Sequence, residues 1–228
     1  SVFDGVGATA AARFDRAGWV AAVYLTASQK AVGLPPGLAL LVASPRALGT
    51  RKTRRAAAPP MYLDWEQWLP VMRAYEDRRP SYFSTPATNL ILALQSGLGE
   101  IVTEGIERRF ARHTRAADAI RAGWKALGLS MVPVRDDLAA NTLSAVRYPD
   151  GVDAALLGRI LDHGVVVAGG LHPAIRNEYF RIGHMGYAVT QPEMLVRTFR
   201  AVAAALTDSG VAVDARATEQ TTELLSRL

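Results

Sequence analysis

The 228-residue chain contains no cysteine, which excludes disulfides, thiolate metal sites and cysteine nucleophiles together. Lysine is almost as scarce: 26 residues are basic, yet only Lys30, Lys52 and Lys125 are lysines. Long apolar runs are missing too. The run at residues 38–43, like every other, has the length of one strand, far below the ~20 residues of a membrane-crossing helix, so no membrane span is expected. The first residues carry no basic stretch ahead of an apolar one, so they read as entry into an existing fold and not as a secretion signal. No P-loop, dinucleotide-binding glycine fingerprint or G-x-S-x-G nucleophile turn occurs. The four histidines, His113, His163, His172 and His184, lack metal-ligand spacing, and no metal is expected. His113 falls among arginines on a helical stretch and is expected in solvent. His184 directly follows an expected strand, where lining a site and a structural role are equally open.

What is present is ordinary globular composition, half apolar and 21% charged. The formal net charge is +5, but the arginines are scattered, often beside Asp or Glu. One compact cluster, Arg51-Lys52-Thr53-Arg54-Arg55, has no interleaved aromatics and reads as a solvated or substrate-side loop, so no nucleic-acid partner is expected.

Residues 20–25 are β-prone and apolar and predict a buried strand, and residues 38–43 a second one. Ser44 and Pro45 have the chemistry of a helix cap and first turn. Residues 49–60 are basic, Ala-rich and Pro-ended, and predict a mobile loop; residues 64–78 predict a helix. From residue 87 to 127 apolar positions recur at helical spacing, broken at Gly105. Beyond it the pattern alternates: strand 142–147, helix 151–162, strands 165–168 and 179–183, and a closing helix 191–206. That predicts a small α/β sandwich with its helices on one sheet face. The domain boundary is placed there, giving units 1–104 and 105–228.

The most informative segment is Thr26-Ala27-Ser28-Gln29-Lys30, followed by Ala31-Val32-Gly33-Leu34-Pro35-Pro36-Gly37. A buried strand delivers a lysine into a polar turn, and glycine and prolines return the chain to the next strand. Partial desolvation at such a strand end favours the neutral amine, the form that adds to carbonyls. From the pattern alone, a lysine in a solvated loop is the commoner outcome. Farther on, Arg181 stands in the apolar run Tyr179-Phe180-Arg181-Ile182-Gly183, a costly place for a cation unless it is paired. A carboxylate ligand or a structural ion pair would satisfy it.

The segment Ser28-Gln29-Lys30-Ala31 with Pro35-Pro36-Gly37 resembles the cofactor-lysine segment of the class V aminotransferases, in the alanine–glyoxylate and serine–pyruvate branch. The loop Tyr82-Phe83-Ser84-Thr85-Pro86, the turn Gly169-Gly170-Leu171 and the 179–183 segment follow in family order, and the wording of several is similar to fungal members. The resemblance implies the C-terminal part of a fold-type-I, pyridoxal-phosphate-dependent α/β transferase: the end of a large cofactor domain plus a small α/β domain. Lys30 matches the lysine that carries pyridoxal phosphate as a Schiff base and later shuttles the substrate's proton. Gln29 matches a phosphate contact, although a satisfied loop glutamine has the same pattern. Tyr82 and Thr85 match a pair that reaches the phosphate of a neighbouring subunit, which implies a homodimer with shared sites. Arg181 matches the clamp on the carboxylate of a small amino acid or 2-oxo acid. A cysteine desulfurase of the same fold is disfavoured by the absence of any cysteine.

Two departures stand out. The resemblance implies an aspartate paired with the cofactor's ring nitrogen, a stacking aromatic and a glycine-rich phosphate loop, all expected upstream of this chain. Asp4 and Asp15 do not read as substitutes, so a catalytically incomplete fragment that keeps only folding and dimer surfaces is the alternative. The stretch before Lys30, residues 18–26, also looks longer than the family's, which predicts a shift in strand register. Finally, the chain ends Ser226-Arg227-Leu228, a small–basic–leucine tripeptide like the receptor-read peroxisomal address, with the polar stretch 213–223 to present it; otherwise a cytoplasmic location is expected.

Overall fold

Two three-stranded sheets organise the chain, whose computed structural model describes residues 1–53, 57 and 59–228. In the first sheet β1 (Val2–Asp4) runs parallel to β2 (Val23–Ala27), and β3 (Ala39–Ala43) returns antiparallel along the other side of β2. Strand β2 starts three residues later than the sequence suggests. Val20 lies in the left-handed region with φ of 51°, where a β-branched residue cannot continue a strand. A turn held by Trp19 N–H donating to Asp15 O (3.0 Å) and Ala21 N–H to Arg16 O (3.1 Å) takes up the extra length. Pairing runs unbroken from Val2–Val23 to Asp4–Leu25, and from Val23–Ala43 to Ala27–Ala39.

Strand β3 is not buried as expected. It is an edge strand, and Leu41 and Val42 are about half exposed. Helix α1 (Pro45–Lys52) follows, capped by Ser44 Oγ accepting from Ala47 N–H at 3.1 Å, with Pro45 in the first turn. Residues 49–52 are therefore the end of a helix and not a mobile loop. Arg51 is not solvated either: it pairs with Asp64 and, at 2.6 Å, with Glu66, joining α1 to the start of α2 (Trp65–Glu76). Arg54 and Arg55 of the basic cluster lie outside the described residues.

Helices α3 (Thr88–Glu104) and α4 (Ile106–Ala126) meet at Gly105, whose φ of +85° breaks the helix as the sequence predicts. The second sheet is antiparallel, with β6 (Tyr179–Gly183) between β4 (Leu143–Arg147) and β5 (Ala168–Gly169). Around it pack α4, α5 (Ala155–Asp162) and α6 (Pro192–Asp208), over a core built on Trp124, Phe180, Phe199, Ile160 and Leu206. The stretch read as a polar presenting arm is instead α7 (Ala215–Ser226). Its Thr221, Thr222 and Leu225 are buried against α4 and α6, because alternate turns put small or apolar groups on one face. The first half has a much smaller cluster of its own: Ala10, Val32 and Ile101, flanked by Leu34 and Leu94.

Candidate active site

Strands β1 and β2 are parallel, so their C-terminal ends open on one edge of the sheet, the place where open α/β sheets receive ligands. The turn carrying Lys30 leaves β2 at that edge and is closed by its own backbone. Ser28 N–H donates to Leu38 O (3.2 Å), Leu34 N–H to Ser28 O (3.0 Å) and Gly33 N–H to Lys30 O (2.9 Å). The buried Ser28 hydroxyl donates to Pro35 O at 2.6 Å. Ala31 and Val32 are buried, whereas the side chains of Gln29 and Lys30 face outward and are exposed. The desolvation expected of Lys30 is thus not supplied by this chain: the turn buries its backbone and its alanine, and sends the lysine away from the core.

Asp4, not expected to belong to the site, shares the sheet end from which this turn departs. Asp4 ends β1, in register with Leu25, so it stands on the same sheet edge as the exit of β2 toward Lys30. Its carboxylate is exposed and accepts from Val6 N–H at 2.9 Å. Sequence spacing alone does not reveal this, because 25 residues lie between Asp4 and Lys30. Only the parallel pairing brings them to one edge.

Arg181 is in the middle of β6, between Ala145 of β4 and Ala168 of β5. Its Nε donates to Gly169 O at 2.7 Å, and no carboxylate among the described residues pairs with it, so the structural ion pair is not found. The turn Gly169-Gly170-Leu171 beside it is held by Tyr179, whose hydroxyl accepts from Leu171 N–H (2.9 Å) and His172 N–H (3.2 Å). A Cβ on Gly170 would lie 2.5 Å from Arg176 O, so only glycine fits there. Tyr82 and Thr85 join hydroxyl to hydroxyl at 3.0 Å in the loop between α2 and α3. Tyr82 is 72% exposed, so it is not a core tyrosine, and neither hydroxyl bonds to Lys30 or Gln29 among the described residues.

Both site-flanking histidines are buried. His113 is not in solvent as expected: its Nδ1 lies 2.8 Å from Arg109 O, and its Nε2 accepts from Gly186 N–H at 3.2 Å. The neighbouring Arg109 and Arg112 both turn to Glu104 and leave the histidine face to the core. Burial pushes the His113 pKa down, the Arg109 carbonyl opposes this, and the Arg112 and Arg109 charges add to it. His184 packs with Nε2 2.9 Å from Ser144 Oγ, and burial pushes its pKa down to about 4. At Glu104 burial acts upward, but the hydrogen bonds and charges of Arg112 and Arg109 outweigh it and hold the carboxyl below its ordinary value.

The solved structures that this chain resembles place its fold among the α/β transferases of fold type I. The chain overlays on pyridoxamine-pyruvate aminotransferase from Mesorhizobium loti with a TM-score of 0.85 and 30% identity, covering 98% of this chain and 55% of that one. It is 33% identical to the Alanine--glyoxylate aminotransferase 1 of Saccharomyces cerevisiae over 81% of this chain and 49% of that protein. It is 35% identical to the L-aspartate--glyoxylate aminotransferase of Paracoccus denitrificans over 80% of this chain and 45% of that protein. The chain belongs to the class V aminotransferases, in their alanine/serine–glyoxylate group. The likeness is as strong to the bacterial protein as to the fungal one, and the chain spans about half the length of the curated relatives it matches. No family model matches it.

Proposed function

We propose that the protein serves a pyridoxal-phosphate-dependent transaminase that moves an amino group between a small amino acid, such as alanine or serine, and a 2-oxo acid such as glyoxylate or pyruvate. The observation that carries this reading is the Lys30 turn: backbone hydrogen bonds of Ser28, Gly33 and Leu34 close it while its amine is exposed. The cofactor, when bound, supplies the sink for electrons released at the substrate α-carbon. Lys30 holds the cofactor through its amine and, once released, takes and returns the proton at that carbon. Gln29, exposed beside it, has two amide N–H groups for phosphate oxygens. Tyr82 and Thr85 present their hydroxyls outward, in keeping with service to the site of a second copy. Exposed Leu92 and Val102 on α3 add apolar surface suited to a homodimer. Arg181 has guanidinium N–H groups left for a substrate carboxylate. Asp4 is the carboxylate suited to keep a proton on the cofactor's ring nitrogen, which revises the expectation that this partner must lie upstream.

The scarcity of lysine makes a direct test available. The chain is treated with pyridoxal phosphate, reduced with borohydride and digested, and the label is apportioned among Lys30, Lys52 and Lys125. Lys30 is expected to dominate, with a visible absorbance band before reduction that Lys30→Ala lacks. An even spread over the three would sink the cofactor reading and leave the inert fragment. In the same assay, an Asp4→Asn chain that retains cofactor as firmly as the unaltered one would remove Asp4 from its role.

We also propose that Ser226-Arg227-Leu228 acts as a peroxisomal address. Ser226 and Arg227 are exposed at the end of α7, and Leu228 rests partly buried on the core, so a receptor would have to loosen the last turn. A reporter carrying the last dozen residues is expected in peroxisomes; a diffuse cytosolic signal would end the proposal.

A further inference from the structure

Lys30 reaches its position without help from its own side chain, which makes no hydrogen bond among the described residues. What holds it comes from far along the sequence. Arg109, on α4 and buried to 7% exposure, directs Nη2 at Ala31 O (2.8 Å) and Val32 O (3.4 Å), the two carbonyls after Lys30. Its Nη1 donates to Glu104 Oε2 at 2.9 Å. Glu104 also receives both Nε and Nη2 of Arg112, each at 2.8 Å, so the carboxylate that orients Arg109 is itself fixed. The sharp turn at Gly105 is what folds Glu104 back over Arg109. On the other side of the turn lies Gly186, three residues after β6, whose N–H donates to His113 Nε2. The approach is so close that a Cβ on Gly186 would sit 2.8 Å from Lys30 O and 3.1 Å from Gly33 Cα.

We infer that Arg109 is a positioning residue for Lys30: it fixes the lysine through the backbone of the next two residues and leaves the amine free to leave and rejoin its partner. The chemistry of the clamp supports this. Ala31 is fully buried, so its carbonyl would be orphaned without a donor, and a charge-assisted bond to it is stronger than a neutral one. A planar fork is needed to meet a carboxylate and a carbonyl at once, which a lysine ammonium cannot do. The support is also shared, since α4 holds the Lys30 turn directly and, through His113 and Gly186, the segment that leads back along β6 to Arg181.

The inference deepens the cofactor reading and rests on it for its functional meaning, but its first measurement needs no cofactor. In Arg109→Met, amide hydrogen exchange at Gly33 and Leu34 is expected to speed up roughly tenfold or more, the loss of one charge-assisted bond, while Phe180 and Ile182 in β6 stay unchanged. In the labelling assay the preference for Lys30 over Lys52 and Lys125 should fall by a similar factor, with Arg109→Lys intermediate. Should Arg109→Met not fold, Glu104→Gln, which keeps the guanidinium but weakens its anchor, is expected to show the same pattern in smaller measure. Unchanged exchange at Gly33 and Leu34 in these variants would overturn the inference. So would faster exchange spread equally over β6 with the Lys30 preference intact, because that is a general loosening. Absence of a Lys30 preference in the unaltered chain would count against the cofactor reading alone.

Discussion

Lowering the pH from 6.5 to about 4 is expected to remove about 3 kcal/mol of folding stability through His184 alone. The sign follows from where the proton binds. In the unfolded chain this imidazole takes a proton near its ordinary value of 6.5, whereas in the fold burial holds it neutral until about pH 4. The neutral histidine therefore contributes fully above the first value. The contribution declines through the interval, and the loss is complete below the second. His113 shifts in the same direction and adds to the slope. Carboxylates also titrate near the acid end, so the measurement is a comparison: denaturant midpoints across the interval for the unaltered chain and for His184→Gln. The difference between the two should shrink steadily toward acid; a constant difference would contradict the assignment. The site should register the change as well, because a protonated His113 can no longer accept from Gly186 N–H, and Gly186 braces Lys30.

Gly186→Ala is expected to cost about 3 kcal/mol and to displace the Lys30 turn. Its φ of +60° is disfavoured for alanine by about 1–2 kcal/mol, and the added methyl meets backbone, the Lys30 carbonyl and Gly33 Cα, which cannot swing aside as a side chain does. Gly210 provides the control: its φ is +79° but nothing lies within 4 Å of an added Cβ, so Gly210→Ala carries the conformational cost alone. Equal losses of stability in the two variants would mean that contact with the Lys30 turn contributes nothing.

Local chemistry was legible in the sequence where a residue's own neighbours decide its fate. Ser44 and Pro45 cap α1, Gly105 breaks α3 from α4, and the apolar run around Arg181 is β6. The Lys30 turn was legible through the resemblance of its surroundings, and the family is the one expected. What escaped the reading depends on partners distant in sequence. The exposure of β3 follows from its edge position. His113 is buried in spite of its arginine neighbours because Arg109 and Arg112 commit to Glu104 across the turn at Gly105. Asp4 shares a sheet end with the exit toward Lys30 only through the parallel register of β1 and β2. Arg109 carries no signal in the sequence, being one of many arginines on a charged helix; its contact with Ala31 O exists only in the fold.

The edge strand β3 also governs how this chain by itself behaves in concentrated solution. Leu41 and Val42 present apolar side chains on a strand whose outer backbone groups have no neighbouring strand among the described residues. Such an edge is a template for strand-by-strand addition of other chains, and it carries neither proline nor charge to block it. Wherever this surface is uncovered, solubility and refolding yield fall to five residues, 39–43, and a single lysine placed at Leu41 is the smallest change that would act as a gatekeeper.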